Sequence, residues 1–227
     1  LLMLIIYDFT PRITIFTDNI TTLESLLIYA MKTILYQSDY LGNGFEFATI
    51  NQPDDYEGKV VATVIRKQCS MPSNKAVLYV HGFNDYFFQS DMAHRFNEKE
   101  YHFYAIDLRK YGRSTLPHQK SNNMRSLTEY FADLDEALDI IRQEGNEQVL
   151  LSGHSTGGLL VTLYASERVG NEKFDTIFCN SPFYDMNMPG YQKRLLVPLV
   201  ALFGKYFPDV LLPGKISEWY GHSLHGE

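Results

Sequence analysis

The chain has 227 residues, 45% of them hydrophobic, enough to bury one sizeable core, and nothing suggests more than one domain with an insertion. A formal net charge of −7 and a pI near 5.5, with no Lys/Arg-rich run, exclude a surface built for nucleic acid or anionic lipid and leave a small molecule as the expected partner. Only Cys69 and Cys179 are present, too few for a disulfide framework, and no Cys/His spacing resembles a metal site, so neither metal nor cofactor is expected.

The first residue is not Met. Leu1-Leu2-Met3-Leu4-Ile5-Ile6-Tyr7 is apolar but has no basic flank, is far shorter than a membrane span and soon meets Asp8 and Pro11. It reads as neither signal peptide nor anchor, and a cytoplasmic protein without stable membrane insertion is expected. Met31 stands just ahead of the first good strand pattern, so residues 1–30 read as an N-terminal extension. The competing reading is an amphipathic helix through Leu23, Leu26, Leu27 and Ala30, which has the right spacing.

Phe45 to Ile50 alternates, Lys59 to Arg66 is β-rich, and Pro53, Asp54, Asp55 and Gly58 between them predict a hairpin. Ala76 to Val80 is a continuous apolar run, as in strands buried on both faces of a parallel sheet. A helix is expected from about Gln89 to Lys99 and a strand over His102 to Ile106, followed by a loop from Asp107 to Ser114. Ser126-Leu127-Thr128-Glu129 is a capping box, after which Leu127, Tyr130, Phe131, Leu134, Leu138 and Ile141 recur at helical spacing until Gly145.

Val149 to Val161 then joins an apolar run to a helical pattern through Gly153-His154-Ser155-Thr156-Gly157. In such a strand, sharp turn and helix, glycines flank a serine because a Cβ in their place would strike the neighbouring strand and helix. A serine hydroxyl is a weak nucleophile that needs a base and donors for the oxyanion its attack creates. The turn leaves Ser155 exposed to a base from elsewhere and puts the Thr156 N–H at the positive end of a helix dipole. Phe174 to Asn180 is a further strand, and the alternation predicts an α/β fold with a mainly parallel sheet and function at the carboxyl ends of its strands.

Three motifs in order, His81-Gly82-Phe83, Asp107 to Ser114, and Gly153-His154-Ser155-Thr156-Gly157-Gly158, make residues 45–190 resemble the α/β-hydrolase superfamily. The branch resembled is that of the monoglyceride-lipase and lysophospholipase-like serine hydrolases of serine aminopeptidase S33 type. The resemblance implies a central sheet with helices on both faces, Ser155 as nucleophile, and the backbone N–H groups of Phe83 and Thr156 as the oxyanion hole. It implies structural roles for His81, His154, Asp107 and Arg109. The substrate class would be carboxylic esters or acyl lipids, cleaved through an acyl-enzyme. Halide and epoxide chemistry on this fold resembles an Asp nucleophile, and position 155 is Ser.

After Asn180 the character changes: Tyr191 to Phe207 is rich in Leu, Val and Phe, broken by Pro198 and Gly204, and resembles the start of a helical cap. The expected division is an extension over 1–30, a core over 31–186 lacking its last strands, and a cap or lid over 187–227. The acid and His of the triad are expected beyond Glu227; Asp185 with His222 or His225 is the in-chain alternative. The alternative to an enzyme is a non-catalytic ligand-binding protein of this fold, or an inactive fragment.

Overall fold

The computed structural model describes residues 34–170, 173–185, 189–207 and 210. They divide into two compact units between Pro182 and Phe183, ahead of the 186/187 division expected from sequence. The extension over 1–30, His222 and His225 lie outside the described residues.

In the first unit the strands are β1 (Gln37–Ser38), β2 (Glu46–Asp55), β3 (Gly58–Lys67), β4 (Lys75–Val80), β5 (His102–Asp107), β6 (Gln148–His154) and β7 (Thr176–Asn180). The helices are α1 (Ser90–Asn97), α2 (Phe131–Gln143) and α3 (Thr156–Glu167). One sheet runs β1-β2-β3-β5-β4-β6-β7. The β2–β3 hairpin and its neighbours are antiparallel, while β5, β4, β6 and β7 are parallel. The chain steps from β4 outward to β5 and returns past β4 to β6, so the strand order reverses at β4. In open parallel sheets the crevice at the carboxyl ends of such strands is where ligands bind.

Alternation along the central strands builds two cores. Leu78, Val80, Tyr104, Ile106 and Leu151 pack with Leu134, Leu138, Val161 and Tyr164 of α2 and α3. Val77, Tyr79, Phe103 and Ala105 face the other way, onto Phe87 and Ala93 of the α1 side. Helices therefore cover both faces, which is why β4 and β5 are apolar at nearly every position.

The capping box forms as the sequence predicts, with one difference. Ser126 Oγ accepts from Thr128 N–H (3.2 Å) and Glu129 Oε1 from Ser126 N–H (3.1 Å), but the first turn, Leu127–Tyr130, is a 3₁₀ turn in which Glu129 N–H donates to Ser126 O (3.1 Å). The α-helix starts only at Phe131. Gly145 ends it at φ +89°, with Asn146 N–H reaching back to Ile141 O (3.4 Å), a closure that needs a residue tolerant of positive φ. Cys179 is partly buried, its Sγ 3.7 Å from Gly158 O.

In the second unit the apolar run after Pro189 is helical, α4 (Gly190–Tyr206), with Pro198 inside it. None of its residues is buried, and Leu195, Leu199, Leu202 and Phe203 are exposed. Among the described residues no helix is long and apolar enough to cross a membrane.

Candidate active site

Ser155 joins β6 to α3 with φ +52° and ψ −119°, a backbone state that L-residues adopt only under strain. The turn is fixed on both sides: Ser155 N–H donates to Asn180 O at the end of β7 (3.1 Å), and Ser155 O accepts from Gly158 and Leu159 in the first turn of α3. The glycines around it have no room for a side chain. A Cβ on Gly153 would lie 2.4 Å from Gly157 O, and one on Gly157 would lie 2.3 Å from His81 O and 2.4 Å from Val80 O. Gly158 is similarly closed by Pro182, at 2.8 Å. Strand β6, helix α3 and the end of β4 thus approach more closely than any residue but glycine allows.

The end of β4 meets the turn directly: a Cβ on Gly82 would lie 3.2 Å from Ser155 Cβ. Phe83 follows, 59% exposed, and Phe83 and Thr156 line one small cavity of about 30 Å³. As the first residue of α3, Thr156 carries an N–H with no acceptor inside its helix, at the helix's positive end. The structure therefore brings Ser155, Phe83 and Thr156 to one place at the carboxyl ends of β4 and β6.

The histidines of the motifs are engaged with backbone. His154 Nδ1 donates to Asn180 O (3.2 Å). His81 is buried, donating from Nδ1 to Gly82 O (2.7 Å) and accepting at Nε2 from Leu108 N–H (3.2 Å), which fixes one neutral tautomer. Burial lowers its pKa, and the Gly82 carbonyl and the charges of Asp107 and Asp85 oppose this only in part. The unfolded chain therefore takes up a proton near pH 6.5 that the folded chain refuses. Stability is full above pH 6.5 and falls as the pH drops below it. The Tm is expected to decline from pH 7 to pH 5, and less steeply in His81→Asn, which is itself less stable at pH 8. An unchanged slope in the variant would remove His81 as the cause.

Asp107 and Arg109 brace the loop after β5. Asp107 Oδ1 accepts from Phe87 N–H (2.8 Å), and its Oδ2 from Arg113 N–H (3.0 Å) and Arg113 Nη1 (2.8 Å). Arg113 also holds Asp39 in a two-pronged pair, and Arg109 forms one with buried Asp133, shortest at 2.6 Å. Asp185, the in-chain candidate for the acid, is paired with Lys193 in the second unit. Among the described residues no group of three or more His, Cys, Asp or Glu side chains is placed to hold a metal ion.

Sequence reasoning missed Met124, Leu127 and Leu160 as residues beside this site, all of which line the cavity. Leu127 and Leu160 carry the ordinary signature of a helix's core face and Met124 lies in a loop, so no local signal separated them from the core.

The profile described as serine aminopeptidase, S33 matches residues 71–222. Mouse (Mus musculus) epoxide hydrolase 4 is 34% identical over 90 residues, which is 39% of this chain and 23% of that protein. A carboxyl esterase from Bacillus coagulans superposes with a TM-score of 0.57 at 16% identity, over 70% of this chain and 51% of that one. A soluble variant of monoglyceride lipase from Saccharomyces cerevisiae gives 0.54 at 18%, over 86% and 61%. Monoacylglycerol lipase from Paleococcus ferrophilus gives 0.53 at 23%, over 68% and 56%. The chain spans about half the length of the esterase and less than a quarter of the mouse protein. At these identities the solved structures establish a common fold.

Proposed function

Because the chain belongs to the serine aminopeptidase S33 family of α/β-hydrolases, we propose that it is a serine hydrolase of carboxylic esters or acyl lipids, of the lysophospholipase or monoacylglycerol-lipase kind, acting in the cytoplasm. Ser155 Oγ attacks the ester carbonyl, and the backbone N–H groups of Phe83 and Thr156 hold the oxyanion. The C–O bond breaks, the serine proton leaves with the alcohol, and water then releases the acid and restores Ser155. The segment over 187–227 is assigned the role of a cap from its exposed apolar helix.

The observation that carries this reading is the strained backbone of Ser155 between glycines with no space for a Cβ. Strain of about 1–3 kcal/mol persists where something over-determines it, and aiming a nucleophile is such a purpose. Epoxide opening of the aspartate-nucleophile type is disfavoured by the serine at 155. A ligand-binding protein of the same fold is the competing reading; the engagement of His81 and His154 with backbone is what either reading expects, since neither is the assigned base.

Pre-steady-state kinetics separate the two. The intact protein mixed with a p-nitrophenyl ester is expected to release a burst of p-nitrophenolate stoichiometric with protein, and acid quenching to trap the acyl group on the peptide holding Ser155. Absence of both burst and trapped acyl group would move the protein to the binding class.

A further inference from the structure

Phe83 lies three residues past the end of β4, outside any strand or helix, yet the proposed reaction needs its N–H held still. On one side, His81 Nδ1 donates to Gly82 O (2.7 Å), the carbonyl of the same peptide unit as the Phe83 N–H. Because that unit is planar, fixing its oxygen fixes the direction of its N–H. On the other side stands Asn84, at φ +54°, whose Oδ1 accepts from Asn122 Nδ2 (3.0 Å) across 38 residues of sequence. Asn122 is itself at φ +59°, and its N–H donates to the carbonyl of Lys110 (2.9 Å), which stands at φ +66°. We propose that Asn122 is a positioning residue, which holds Asn84 and through it keeps the Phe83 N–H aimed at the oxyanion. The inference rests on the serine-hydrolase reading and adds to it a residue that none of the three sequence motifs contains.

Asn122 can serve as an anchor because its own segment is pinned by the tip of the β2–β3 hairpin. Glu57 Oε1 accepts from Asn123 Nδ2 (3.0 Å) and Lys120 N–H (3.4 Å), Tyr56 OH donates to Asn123 O (3.2 Å), and Lys110 Nζ lies between the carboxylates of Asp55 and Glu57. The strut from hairpin to Phe83 thus passes through three residues in left-handed backbone, none of them glycine. The crowding of Cβ disfavours that state, least for Asn and more for Lys, and it persists where surrounding contacts over-determine it. The two loops that Asn84 and Asn122 join also meet at the cavity, which Phe83 and Met124 both line. An exposed hydrogen bond adds little to stability, whereas a reacting group displaced by about 1 Å can cost roughly 10²-fold in rate. Loss of the Asn84–Asn122 bond should therefore show in the chemistry and hardly at all in the fold.

The test compares wild type with Asn122→Gly, Asn84→Gly and the double variant on p-nitrophenyl butyrate in the full chain, with a melting curve for each. Glycine takes positive φ without strain, so each variant keeps the backbone and loses only the amide. Asn122→Gly is expected to lower kcat roughly tenfold, short of the roughly 10²- to 10³-fold that loss of a whole donor costs, with KM and Tm close to wild type. The double variant should be no slower than Asn84→Gly alone, because both act through one hydrogen bond. Asn43→Gly, at another left-handed position (φ +48°) between β1 and β2, controls for the glycine itself and should leave kcat unchanged. Wild-type kcat in Asn122→Gly, a change confined to KM or Tm, or losses that multiply in the double variant overturn the positioning role and leave the hydrolase reading standing. No cleavage of the ester, with wild type equal to Ser155→Ala, overturns both.

Discussion

In a chain that supplies the acid and His of the triad, replacing Ser155 by alanine is expected to lower kcat on p-nitrophenyl butyrate by roughly 10⁴- to 10⁶-fold, with KM little changed. Alanine keeps the Cβ that lies against Gly82 and removes only the hydroxyl, so the cavity and the N–H groups of Phe83 and Thr156 stay in place. Substrate binding is therefore expected to survive, with a residual rate equal to what the proposed oxyanion donors give to attack by water. Ser155→Gly should be equally inactive and at the same time more stable than Ser155→Ala, because glycine accepts φ +52° without the strain a Cβ imposes. Steady-state kinetics with a melting curve for each variant measure both effects. An alanine variant retaining a tenth of the activity would place the nucleophile elsewhere.

Gly157→Ala is expected to cost about 3 kcal/mol or more, the upper end of what overpacking a filled interior costs. The methyl group would stand 2.3 Å from His81 O and 2.4 Å from Val80 O, backbone atoms at and just past the end of β4, which cannot rotate away as a side chain would. For a chain of this size that corresponds to a fall in Tm of roughly 6–12 °C. Gly153→Ala should behave alike, against Gly157 O and Gly158 N at 2.4 and 2.7 Å. Gly190→Ala is the control: nothing lies within 4 Å of its added methyl, and its Tm should stay where it was. If Gly157→Ala melts with wild type, helix α3 does not sit as tightly against β4 as described.

The two sheet cores and the turn at Ser155 were legible in the sequence because each depends on local rules. Alternation gives Val77 and Tyr79 one face and Leu78 and Val80 the other, and the Gly-x-Ser-x-Gly spacing states the steric demand of the turn outright. What could not be read depends on contacts distant in sequence. Strand β1 is two residues long and exists through pairing with Phe47 and Glu46. The need for glycine at 112 comes from Asp107 Oδ2 and Tyr86, which a Cβ there would approach to 2.5 and 2.6 Å. Leu127 belongs at once to a helical pattern and to the cavity wall, and only the fold tells which of its contacts matter to a ligand.

Lys110 is fully buried, with its Nζ 2.6 Å from both Asp55 and Glu57 at the tip of the β2–β3 hairpin, and Arg109 beside it is 6% exposed. A protease that cleaves after basic residues would find two adjoining targets in this stretch of sequence, and in the folded chain it can engage neither, because an extended, accessible backbone is what such enzymes bind. Scission between 109 and 111 thus requires the hairpin tip to release its lysine first. The yield of that cut reports the population of the opened clasp, so a nick there marks local unfolding.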